Sequence, residues 1–129
     1  MNVKKNNGYN KMLILFKFSS YSAVIALFLV GFITLSDIFI NKNQSTFHLL
    51  TLLVALIFFI MSFLGIFVYK NFRGIHNHIM MEKNVSSVQV SLRNLMLIAS
   101  FVAIIITLIS SLLSFALMQR MRDGMSLLG

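Results

Sequence analysis

Few side chains in this 129-residue chain are equipped for chemistry, and their spacing limits what they could do. Its acids are Asp37, Glu82 and Asp123, set against eleven lysines and arginines. General acid–base catalysis usually relies on paired or charge-tuned groups, and three scattered acids offer little material for it. His76 and His78 are two residues apart, so on a helix they point to different faces. With Glu82 as the nearest further ligand, they make a poor metal site. Histidine as a residue type changes charge near neutrality, so a pH response is a physical option for such a pair. There is no cysteine, which excludes disulfides, thiolate metal sites and thiol nucleophiles. Glycine-rich phosphate loops and nucleophile elbows are absent as well. The expectation is a protein that is not an enzyme and carries no cofactor.

Asp37 is the candidate intramembrane acid, since carboxylates within spans often mark ion or proton paths. Its position beside Ile38, Phe39 and Ile40, with no evident basic partner in a neighbouring segment, favours an outer-interface location where a first helix ends. A second pattern is mechanical. Ser100, Ala103, Thr107, Ser110 and Ser114 follow steps of three and four, the seam spacing of a left-handed helix pair. Ser19, Ala23, Ala26, Val30, Ile33 and Asp37 form a partial version earlier in the chain. Thr51, Ala55, Phe58, Ser62 and Gly65 form another. Helices in lipid associate through close packing and interhelical hydrogen bonds, and small residues permit both. Such seams would close the protein's own bundle. The most regular one, Ser100 to Ser114, could also dock a partner helix or a second copy.

The elements that hold these residues are set by composition. The chain is 58% hydrophobic and 11% charged, where soluble domains run at about 45–50% and about 25%. A water-exposed surface could not hide that much apolar material. Three apolar segments, 18–40, 48–69 and 95–118, each approach the ~20 residues needed to cross hydrocarbon. They are joined by a basic flank (1–17), a short link, a basic loop (70–94) and a tail (119–129). The apolar run from Met12 to Ile40 exceeds a signal-peptide h-region of roughly 7–15 residues and reads as a retained helix. The fold class is therefore an all-α integral membrane protein with three transmembrane helices in one domain. Ser86 and Gln89 have capping-box spacing, which starts the third helix near residue 87 and runs it to about 121. The second helix extends likewise through Ile75 and Ile79, unless Gly74 interrupts it. Helices two and three would then form a hairpin projecting into the cytoplasm and turning near Lys83–Val85.

The basic residues give an orientation. Lys4, Lys5, Lys11 and Lys17 precede the first segment, and Lys70, Arg73, Lys83 and Arg93 lie in the second link. Only Lys42, Arg120 and Arg122 fall on the other side, so the N-terminus is expected in the cytoplasm. Beside apolar runs, these cations read as topology signals and contacts for anionic lipid head groups rather than for nucleic acid. Tyr9, Tyr21 and Tyr69 are candidate interface anchors.

The functional expectation is a non-catalytic interaction protein of a bacterial cytoplasmic membrane. It would dock by helix–helix contact, as an accessory or regulatory subunit or an immunity-type protein, with a membrane-protein partner or in a homo-oligomer. In size and number of spans the layout is similar to small membrane immunity proteins of bacteriocin systems, without a shared motif. The alternatives are a holin-like pore former, the membrane anchor of a respiratory complex, and a small transporter. The mild Ser/Thr stripe argues against a pore. Histidines lie at or beyond the span ends, which argues against haem between helices. Three spans without an internal repeat enclose little cavity for a transporter.

Overall fold

A computed structural model describes the backbone of residues 3–40, 45–81 and 86–125. Three helices account for nearly all of it: α1 (Val3–Ile40), α2 (Ser45–Met81) and α3 (Ser86–Arg122). Each is long and apolar enough to cross a membrane. With no proline in the chain, nothing removes a backbone donor within a helix, and all three run unbroken.

The helices extend beyond the spans read from hydropathy, α1 at its N-terminal end. The flank 1–17 was expected to precede the first helix, yet helix begins at Val3. Asn6, Asn7, Gly8 and Asn10 are poor helix formers, and hydropathy cannot see what overrides them. Leu13 and Phe16 pack with Tyr69, Phe72, Met96 and Ala99 in a cluster drawn from all three helices. The second helix passes Gly74 without a break, because a single glycine weakens a helix by only ~1 kcal/mol. The third begins at Ser86, one residue before the expected start. It stops where Gly124 adopts a positive φ of 72°. Met125 N–H donates to the Arg120 carbonyl and Gly124 N–H to that of Met121, each at 3.1 Å, a Schellman closure that needs the left-handed residue.

The arrangement of the three is the main finding. The first helix lies between the other two and packs along both, whereas α2 and α3 touch each other little. Of its spanning window 39% is buried, against 17% for α2 and 22% for α3. Among the described residues the two arms of the expected hairpin make little contact with each other. Both of its arms lean on α1, and its expected turn falls at residues 82–85, outside the described residues. The reason is side-chain size. The inward faces of α2 and α3 carry small residues, Thr51, Ala55 and Ser62 on one and Ser100, Ala103 and Ser110 on the other, and α1 buries Ser19, Ala23 and Ala26. Their remaining faces carry Leu, Ile and Phe at high exposure, which lipid accommodates and a close helix does not.

Candidate functional site

Ser100 and Ser110, 2% and 4% exposed, and Ala103 are buried, and Thr107 and Ser114 are partly so. The helix they belong to packs almost wholly on α1, so this seam is turned inward. Its hydroxyls do not behave as interhelical donors. Ser100 Oγ donates to the Met96 carbonyl at 2.7 Å and Thr107 Oγ1 to the Ala103 carbonyl at 2.8 Å, both one turn back on the same helix. Thr34 and Ser36 do the same on α1. In hydrocarbon a hydroxyl must find an acceptor, and the carbonyl one turn earlier is always within reach. These side chains act by being small. Ser62 differs: its Oγ crosses to the Val24 carbonyl of α1 at 3.1 Å.

The α1–α2 contact is tightest around that bond. A Cβ added at Gly65 would lie 2.9 Å from Val24 Cγ2, and one at Gly31 would lie 3.0–3.3 Å from the Phe59 ring. Phe28 and Phe32 meet that ring edge-on, with centroids 5.1 and 5.9 Å away. Toward the other end Tyr69 packs on Phe16 and Tyr21 at 5.7 and 5.2 Å. At 7% exposure, Tyr69 belongs to the core rather than to a lipid-facing belt.

The pairs Gly31–Phe59, Val24–Gly65 and Phe16–Tyr69 define an antiparallel register. Continued outward, it sets Asp37 level with Thr51. Both are buried, at 3% and 2%, and each engages a partner. Asp37 thus belongs to the bundle's interior rather than to an exposed helix end. His76 is buried at 8% and engaged, while His78 is exposed, so the two face apart. No group of three His, Cys, Asp or Glu side chains among the described residues could hold a metal.

Charge is arranged by height along the bundle. Lys17 and Asp37 stand twenty residues apart on α1, ~30 Å at 1.5 Å per residue, which is the thickness of the hydrocarbon core. Lys11, Lys70, Arg73 and Arg93 are exposed and cluster toward the Lys17 end, around the Phe16–Tyr69–Met96 cluster. Lys4 and Lys5 lie in the first turns of α1, and Lys83 is outside the described residues.

One concave surface accompanies this belt. A trench between α1 and α3 opens sideways, with one section of about 640 Å³ and a neighbouring one of about 710 Å³ that share Phe18, Ser22 and Thr107. Its polar lining is mild. The Thr107 hydroxyl is committed to its own helix, as is that of Ser111, which donates to the Thr107 carbonyl at 2.8 Å. The chain matches no protein-family model, no curated protein and no solved structure.

Proposed function

We propose that this chain is a non-catalytic multi-pass protein of a bacterial cytoplasmic membrane that works by helix–helix docking. It would serve as an accessory or regulatory subunit of a membrane complex, or as an immunity-type protein acting on a membrane partner. The observation that carries the proposal is the unequal use of the helices. The first packs along both neighbours, while α2 and α3 each bury one narrow face and leave large apolar side chains outward, among them Leu53 and Phe63 on α2 and Phe101 and Leu112 on α3. These outer faces offer a partner two long, unbranched tracks at membrane depth. The inward small-residue seam is occupied by α1, so docking falls to the outer faces.

The belt of Lys11, Lys17, Lys70, Arg73 and Arg93 supports an orientation with the N-terminus in the cytoplasm. In that orientation the ends of α2 and α3 beyond the belt lie on the cytoplasmic side. A pore-forming role draws less support. The hydroxyls of Ser100, Thr107 and Ser111 are bonded to their own helix, so α3 carries little free polarity with which to line water.

The test is site-specific photo-crosslinking in cells of the source organism, with the photoreactive residue at Leu53, Phe63, Phe101 or Leu112 and at the buried Ala103 as control. The proposal expects a discrete protein adduct from at least one outer position and none from Ala103. Outer positions that yield only lipid adducts, together with a monomer in mild detergent, would overturn it.

A further inference from the structure

We infer that the trench between α1 and α3 is a binding site for an anionic phospholipid, with one acyl chain in the trench and the phosphate held at its mouth by Lys11 and Arg93. The inference rests on the membrane placement above, not on the identity of any protein partner. A lateral trench in a membrane-embedded protein meets hydrocarbon by default, since an unfilled groove forfeits the dispersion contacts of its walls. What sets this trench apart is its charged mouth. The section lined by Phe18, Ser22, Thr107 and Leu108 reaches Lys11, the charged residue in its lining. The adjoining section reaches Leu29, twelve residues beyond Lys17, ~18 Å, about half of a ~30 Å hydrocarbon core. Lys11 itself stands ~9 Å beyond Lys17, at head-group depth.

Arg93 joins it from the second wall. It precedes Ile104, a trench-lining residue, by eleven positions, which is three turns and so the same face of α3. Met96 meets Phe16 in the three-helix cluster, and Thr107 lines the trench opposite Ser22. Either register puts Arg93 within about a turn of the height of Lys11. Both cations are exposed at that level. A guanidinium and an ammonium converging from two helices suit a phosphodiester, which the guanidinium can grip through two parallel hydrogen bonds. Of the belt's cations Lys11 alone is in the trench lining, and Arg93 is set at its mouth by helix register and face, whereas Lys17, a further six residues along α1, is not in the lining. The site thus differs from general attraction to an anionic surface.

The experiment is native mass spectrometry of the full chain released from nanodiscs of equal phosphatidylglycerol and phosphatidylcholine. Wild-type protein is expected to retain phosphatidylglycerol preferentially. Lys11→Gln and Arg93→Gln are each expected to weaken that retention by about fivefold. Ser22→Phe fills the trench where its two sections meet and should lower retention with no change in charge. Lys17→Gln, an equal charge change off the trench, should leave retention unchanged. Circular dichroism of every variant in the same nanodiscs checks the fold. Retention unaffected by Ser22→Phe in a folded protein, or lost equally in Lys17→Gln and Lys11→Gln, would overturn the site. Such results would leave the inserted bundle and its docking role standing, whereas failure to enter the nanodisc would defeat both.

Discussion

Replacing Gly65 by alanine isolates the closeness of α1 and α2 as a measurable quantity. The new methyl would sit 2.9 Å from Val24 Cγ2, a separation that real Cβ atoms essentially never show, so one of the helices must move. Overpacking of this kind costs about 1–3 kcal/mol. Alanine also gains up to ~1 kcal/mol over glycine in helix propensity, which would mask part of the cost. Gly74 removes that ambiguity. It lies on the same helix, and a Cβ there would meet nothing within 4 Å, so Gly74→Ala keeps the gain without the clash. The difference between the two variants is then the overpacking alone, about 5- to 150-fold in the unfolding equilibrium. A third variant names the atom responsible: Val24→Ala removes Cγ2, so Gly65→Ala should cost less in that background than in the wild type. The assay is reversible unfolding in mixed micelles, followed by the far-ultraviolet helix signal or by access of a protease. If Gly65→Ala were as stable as Gly74→Ala, or if Val24→Ala gave no rescue, the close α1–α2 approach would be wrong and the central place of α1 with it.

Other outcomes follow from the same packing. Ser110→Leu should destabilise the bundle itself by about 1–3 kcal/mol, because Ser110 is 4% exposed on the face toward α1. Leu108→Ala, at a position 61% exposed, should be near neutral in the same unfolding assay. Because the chain has no cysteine, single cysteines report topology directly. Gln44→Cys should react with an impermeant maleimide on intact cells and Asn6→Cys only after permeabilisation, the reverse pattern being fatal to the assigned orientation.

How much of this was legible beforehand depends on the kind of information lipid leaves in a sequence. The number of spans and their lengths follow from hydropathy, because hydrocarbon demands about twenty apolar residues per crossing. The inward faces are legible too, though by size rather than polarity. Ser19, Ala23, Ala26 and Val30 share one stripe and are buried together, as are Thr51, Ala55 and Ser62. The N-terminal extension of α1 was not legible, since Asn6, Asn7, Gly8 and Asn10 are poor helix formers and hydropathy does not reach them. Nor was the role of Tyr69, whose phenol suits a membrane interface equally well until Phe16 and Tyr21 cover it.

The sequence by itself determined that three helices cross and which face of each is narrow enough to be approached closely. Only the tertiary structure decided that α1 is the middle helix, that the Ser100–Ser114 seam is turned toward it, and that Lys11 lines a trench between α1 and α3. The physical reason is that lipid is as apolar as leucine. Buried and exposed faces then have nearly the same hydropathy, and the choice among three similar seams rests on the fit of whole surfaces, which no single segment contains.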